Sequence, residues 1–120
     1  VTIAATGGPV YHAVDAASIL KSEGISAAVV NVPTIKPFDS ETIVRATQKT
    51  GLVVTVEDHN IIGGLGSAAA EALAEHGGGR LVRHGLHDTF GESGSPDELY
   101  RKYRLDAPGI AAVVKEALGK

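Results

Sequence analysis

The densest group of ionisable side chains in the sequence is Glu57-Asp58-His59, which directly follows a predicted strand. A carboxylate beside an imidazole is a pair that general acid–base catalysis uses. The group lies at the carboxyl end of the strand, where open α/β sheets bind their ligands. No nucleophile lies nearby in the sequence. We therefore interpret these side chains as hydrogen-bonding to loop backbone or contacting another domain.

A glycine-rich stretch follows, Gly64-Leu65-Gly66-Ser67-Ala68-Ala69, and it matches the G-x-G-x-x-A pattern of dinucleotide-binding loops. That loop requires a tight turn from strand to helix, whereas residues 58–62 intervene here. We interpret the small residues as allowing the helix to pack closely on the sheet. The helix N-terminus is still able to accept a phosphate or a carboxylate. The candidate interface or anion site comprises Glu57, Asp58, His59, Gly63, Gly64, Gly66 and Ser67.

The remaining candidates for chemistry are weaker. His84 and His87 are three residues apart, a spacing that places them on opposite faces of a strand, so a metal site is not predicted even with Asp88 beside them. Ser93 lacks the second glycine of a nucleophile elbow. The chain has no cysteine, which excludes thiolate ligands and a cysteine nucleophile. We predict no catalytic, cofactor-binding or metal-binding residue in this chain.

The elements that must position these residues alternate between strand and helix. The predicted strands are 1–6, 27–32, 52–56 and 81–86, and the predicted helices begin at Pro9, Ser40, Leu65, Pro96 and just after Asp106. In the first helix, the apolar residues Val10, Ala13, Val14, Ala17 and Leu20 recur at helical spacing. Residues 27–32 form a continuous apolar run, which indicates burial on both faces, as in a parallel sheet. The pattern predicts a three-layer α/β/α sandwich with a mostly parallel sheet.

Size and composition restrict the function classes further. A chain of 120 residues fits a single domain, here 1–120. Its net charge of −3 argues against nucleic acid or an anionic membrane as the main partner. No apolar run reaches the roughly 18 residues of a membrane span, and no signal-peptide pattern is present, so a cytoplasmic location is expected. Methionine is absent and Val1–Thr6 already reads as a buried strand, so we expect this chain to be a piece of a longer protein.

Four segments of the chain together resemble the C-terminal domain of transketolases. They are the first strand and turn at 1–7, the connector Pro33-Thr34-Ile35-Lys36-Pro37-Phe38-Asp39, the stretch 56–67 (VEDHNIIGGLGS) and the stretch 90–99 (FGESGSPDEL). The third is the most specific, and the resemblance covers essentially the whole chain. The last segment is most similar to compact transketolases whose N- and C-terminal sections are separate chains in some cases.

This resemblance implies that the domain has a structural role and no catalytic activity of its own. Transketolases transfer a two-carbon ketol unit between sugar phosphates, using thiamine diphosphate and Mg²⁺ or Ca²⁺, which bind between two other domains. Their C-terminal domain has five strands, one antiparallel, packs against the remaining domains or N-terminal subunit, and helps to build the homodimer. The family's pyrophosphate motif begins Gly-Asp-Gly, and this triplet does not occur here. The resemblance therefore implies no catalytic residue in this chain and no cofactor bound by it.

Two other hypotheses stay open. The chain is also similar to the corresponding domain of 1-deoxyxylulose-5-phosphate synthase and of 2-oxoacid dehydrogenase β subunits. Residues 57–60 (EDHN) favour transketolase, because a residue other than His59 is expected in the synthase. The third hypothesis is a regulatory module that binds a small anion at the helix start formed by 64–67.

Overall fold

A parallel sheet of four strands forms the centre of the molecule. The computed structural model describes residues 1–33, 38–60, 63–86 and 96–120, with His59, Asn60 and Pro96 described by their backbone alone. The strands are β1 (Thr2–Ala5), β2 (Ala28–Asn31), β3 (Val53–Asn60) and β4 (Leu81–Leu86), in the order β2-β1-β3-β4. All three neighbouring pairs are parallel. The predicted parallel α/β fold is confirmed, whereas the implied antiparallel fifth strand is not found among the described residues.

Helices cover both faces of this sheet and complete the three layers. They are α1 (Pro9–Ser22), α2 (Ser40–Thr50), α3 (Leu65–Glu75), α4 (Pro96–Lys102) and α5 (Ala107–Ala117). One apolar cluster joins α1 and α5 to Ile3 and Val54 of the sheet. A second cluster joins α2 and α3 to Ala4 and Val53 on the opposite face. Successive residues of a strand point to opposite faces, so each central strand contributes to both clusters.

Side-chain caps fix where two of the helices begin. The Asp39 carboxylate accepts hydrogen bonds from the Thr42 hydroxyl and the Thr42 amide, and these bonds lower the pKa of Asp39. The Asp106 carboxylate accepts in the same way from the Gly109 amide, 3.0 Å away. Both caps were predicted for Asp39 and Asp106 from residue type alone, because a short carboxylate side chain satisfies the free N–H groups of a first turn.

Two predictions about burial and length are wrong. β2 is not buried on both faces, since Ala28 and Asn31 are exposed and the strand lies at the edge of the sheet. In α1, Val14 belongs to the apolar residues at helical spacing but is half exposed, whereas Ala16 is buried. β3 extends to Asn60, so Glu57 and Asp58 lie within the strand and not after it.

Among the described residues, no helix is long and apolar enough to cross a membrane.

Candidate functional site

The carboxyl-terminal half of β3 carries the candidate residues on an irregular stretch of strand. Val56 pairs with His84 of β4, and Asn60 pairs with Leu86. β3 thus advances four residues (60 − 56) while β4 advances two (86 − 84), so this stretch of β3 is bulged. Bulges change the direction of side chains and are frequent next to functional sites. Here the bulge begins directly after Val56, at Glu57.

Glu57 is completely buried, and its carboxylate binds the N-terminus of α3. Oε1 accepts from the Leu65 amide at 3.0 Å, and Oε2 accepts from the Gly66 amide at 2.6 Å. The first amides of a helix have no partner within the helix, and the helix dipole favours a negative charge there. The N-cap residue, Gly64, has no side chain to fill that role. Glu57 therefore caps α3 from a neighbouring strand.

This contact decides what the start of α3 is able to bind. The two amides that would hold a phosphate or a carboxylate in the anion hypothesis already donate to the Glu57 carboxylate. A second anion would meet the Glu57 carboxylate at the same amides, and like charges repel strongly at buried positions. The dinucleotide loop needs these same amides. The geometry favours an internal cap at 64–67 over a ligand site.

The glycines around the start of α3 allow backbone geometry and close packing. Gly63 has φ +85°, a conformation that other residues rarely adopt, and its amide donates to the Ser67 hydroxyl at 2.8 Å. A Cβ at Gly66 would lie 3.0 Å from Cγ and Cδ of Arg83 on β4. The helix therefore approaches the sheet as closely as a glycine permits, in agreement with our interpretation of the sequence pattern.

Asp58 belongs to a second group of side chains, at the carboxyl ends of β1 and β3. The Tyr100 hydroxyl of α4 donates to Asp58 Oδ2 at 2.9 Å. The Tyr100 ring packs against the ring of His12 on α1, with centroids 4.9 Å apart and planes inclined by 53°. A Cβ at Gly8 would collide with the Tyr100 hydroxyl. The sequence analysis missed Gly8, His12 and Tyr100, and no local pattern marks them, because the Asp58–Tyr100 contact spans 42 residues.

The chemistry of this group is that of a structural link. Burial, followed by the hydrogen bond and the negative charge of Asp58, raises the pKa of Tyr100 to about 12. A tyrosine with this pKa keeps its proton at neutral pH, far from the range that a general base requires. Tyr100 therefore acts as a hydrogen-bond donor that ties α4 to β3.

Raising the pH is expected to weaken this link in a defined window. The pKa of Tyr100 is raised from 10.0 to about 12 on folding, so its contribution to stability is complete below pH 10 and is lost as the pH passes 12. Between pH 10 and 12 the unfolding free energy of the wild type should fall more steeply than that of Tyr100→Phe. Urea unfolding across this range measures the difference. Tyr11→Phe, which alters an exposed tyrosine, should follow the wild type.

The other histidine and serine candidates divide into those with a structural contact and those outside the described residues. His84 Nε2 lies 2.7 Å from the Arg104 carbonyl oxygen, which only accepts, so His84 donates there. The His59 side chain lies outside the described part of the chain, as do His87, Asp88 and Ser93. No cluster of three His, Asp or Glu side chains that could hold a metal occurs within the described residues.

Comparison of the sequence with models of known protein families gives one match over most of the chain. A family model for the C-terminal domain of transketolase matches residues 1–110. The chain belongs to this family. The transketolase C-terminal domain described here is 49% identical over 120 residues to a putative transketolase C-terminal section of Methanocaldococcus jannaschii, covering 99% of this chain and 37% of that protein. It is 45% identical over 114 residues to 1-deoxy-D-xylulose-5-phosphate synthase of Syntrophotalea carbinolica, covering 94% of this chain and 18% of the synthase.

A solved structure supports the same assignment. The transketolase domain superposes on a split-gene transketolase, described as an inactive beta4 tetramer, with a TM-score of 0.91 and 46% identity. The match covers 98% of this chain and 39% of the other. The chain thus spans well under half the length of the relatives it matches.

Proposed function

We propose that this chain is the C-terminal part of an enzyme that transfers a two-carbon ketol unit between sugar phosphates. The observation that carries the proposal is the match over nearly the whole chain to a split-gene transketolase chain, of which this domain accounts for 39%. The chemistry would reside in the other domains of that enzyme, or in a separate N-terminal subunit. This domain would support their assembly into a homodimer.

Thiamine diphosphate, which the family implies for the whole enzyme, does not fit the glycine-rich start of α3. A diphosphate needs free amides at a helix start or a cation bound by carboxylates. The amides of Leu65 and Gly66 donate to Glu57, and the described residues contain no cluster of three potential metal ligands. We therefore assign the cofactor and its metal to the other domains and derive no catalytic step through this chain.

The proposal is tested by titration and by reconstitution. Calorimetric titration of the folded chain with thiamine diphosphate and Mg²⁺ should give no binding heat. Ketol transfer from xylulose 5-phosphate should be absent with this chain alone and present when it is assembled with the section encoded before or beside it. Tight cofactor binding by the chain alone, or an assembled enzyme without ketol transfer, would contradict the proposal.

The alternative is a domain of 1-deoxyxylulose-5-phosphate synthase, and the 45% identity to one such synthase favours it as the second candidate. The assembled enzyme distinguishes the two. A synthase would consume pyruvate and would not transfer a ketol unit from xylulose 5-phosphate. A transketolase would show the reverse pattern in the same two assays.

A further inference from the structure

α4 is the least buried helix of the described structure. Among residues 97–104, all of which the structure describes, none is buried, and Asp97, Glu98, Arg101, Lys102 and Arg104 are exposed. In contrast, α5 contributes four buried residues to the core. An element that buries little surface opens locally at a low free energy while the rest of the protein stays folded.

Tyr100 of this helix lies where the strand order of the sheet reverses. The chain runs outward from β1 to β2, returns to β3 beside β1, and continues outward to β4 on the other side. The carboxyl ends of β1 and β3 therefore border the topological switch point, the crevice where open α/β sheets bind their ligands. A Cβ at Gly8, just after β1, would collide with the Tyr100 hydroxyl and lie 3.6 Å from Asp58 Oδ2. The Tyr100 hydroxyl therefore occupies the space between Gly8 and Asp58 in this crevice.

A hydrogen bond and a ring contact hold the Tyr100 side chain there. The hydroxyl donates to Asp58 Oδ2 at 2.9 Å, and the ring packs against the ring of His12 at a centroid distance of 4.9 Å. A hydrogen bond to a charged group changes an equilibrium constant by at least about 10-fold. Loss of the hydroxyl should therefore favour release of α4 by that factor.

The chain directly after α4 is anchored independently of Tyr100. Leu105 is buried in the core, and the Arg104 carbonyl oxygen accepts a hydrogen bond from His84 at 2.7 Å. Arg104 has φ +59°, so a sharp turn joins α4 to this anchor. Rotation about a few backbone bonds at the end of an element is sufficient to move that element as a unit. α4 is thus able to leave the sheet without drawing Leu105 out of the core.

We propose that α4 is a strap over the switch-point crevice that opens while the sheet and the other helices stay folded, with the Tyr100–Asp58 hydrogen bond as its latch. In the closed strap, Tyr100 fills the space between Gly8 and Asp58. Opening frees that space and exposes both residues at the crevice. This inference concerns the 120-residue chain and does not depend on the proposed function.

Native-state hydrogen exchange of the chain in low concentrations of urea tests the proposal. The Tyr103 amide, which donates to the Leu99 carbonyl, reports on the strap, and the Ile110 amide, which donates to the Asp106 carbonyl, reports on the core. The opening constant measured at Tyr103 should exceed that at Ile110 at least about 100-fold, because α4 opens below the free energy of global unfolding. Its dependence on urea should also be smaller, because strap opening exposes little surface.

Three variants distinguish the latch from general stability. Tyr100→Phe should raise the opening constant at Tyr103 at least about 10-fold. Tyr11→Phe, which removes an exposed hydroxyl, should leave it unchanged. Ile43→Val, in the core on the opposite face of the sheet, should raise the opening constant at Ile110 about 2- to 10-fold. It should leave Tyr103 unchanged, because the core is folded in both the closed and the open strap.

Trypsin gives an independent readout, because it cleaves after Arg101 and Lys102. When closing is fast relative to cleavage, the cleavage rate follows the population of the open strap, so it should rise in Tyr100→Phe by the factor seen at Tyr103. Three results would overturn the proposal. They are equal opening constants and urea dependences at Tyr103 and Ile110, exchange at Tyr103 that is insensitive to Tyr100→Phe, and an Ile43→Val effect that is equal at both amides.

Discussion

Replacing Glu57 with alanine is expected to lower the free energy of unfolding by about 3–5 kcal/mol. The substitution removes the acceptor of two buried amides, those of Leu65 and Gly66, and leaves a cavity beneath α3. Each unsatisfied buried donor costs about 1–3 kcal/mol, and the cavity adds to that. Urea unfolding followed by circular dichroism measures the change.

Two variants show whether the carboxylate itself is responsible. Glu57→Gln keeps the volume of the side chain but presents an N–H group to one of the two amides, so a loss of about 1–3 kcal/mol is expected. Glu75→Gln, at the exposed end of the same helix, should change stability by less than about 0.5 kcal/mol. A Glu57→Ala protein as stable as the wild type would show that the cap does not hold α3 in place.

Replacing Gly109 with alanine is the second large effect that we expect, with a loss of about 1–3 kcal/mol. Alanine in place of a helical glycine ordinarily stabilises a protein. Here the new Cβ would lie 2.5 Å from Cα and 2.7 Å from the carbonyl carbon of Arg104. These are backbone atoms, so the chain before α5 must move. Arg104 has φ +59°, and its carbonyl oxygen accepts a part-buried hydrogen bond from His84, which this movement would break.

The sign of the effect is the decisive observation, and thermal or urea unfolding gives it. Ala112→Gly, at a half-buried position of α5, should destabilise by about 1 kcal/mol from helix propensity. If Gly109→Ala stabilised the protein while Ala112→Gly destabilised it, close packing against Arg104 would not be the reason for glycine at 109. The His84 ring resonances should also shift in Gly109→Ala and not in Ala112→Gly.

Local patterns predicted the helices and strands whose ends depend on neighbouring residues. The bounds of α3 at Leu65–Glu75 and of β4 at Leu81–Leu86 agree with the structure, because the glycine run 77–79 separates the helix from the strand. Features that depend on residues distant in the sequence could not be predicted from local patterns. The exposure of β2 depends on its position in the sheet, which is the edge. An apolar stretch of sequence predicts a parallel strand but does not distinguish an edge strand from a central one.

The candidate site was located from the sequence but not resolved into its two parts. Glu57 and Asp58 were predicted as candidates because they lie at the carboxyl end of a predicted strand, where α/β sheets bind their ligands. Their different roles follow from a bulge in β3 and from partners far away in the chain. Glu57 faces α3 eight residues on, and Asp58 faces Tyr100 in α4. Neither bulges nor contacts over 42 residues have a local sequence signal.

The placement of α1 beside α5 has a consequence for synthesis from the N-terminus. The apolar cluster beneath α2 and α3 draws on residues no later than Leu81, whereas the cluster beneath α1 requires Leu105 and residues 110–114. Domains generally fold as units, so this domain is complete only when α5 has left the ribosome. Until α5 emerges, the inner side of α1 is the surface that a nascent-chain chaperone would have to shield.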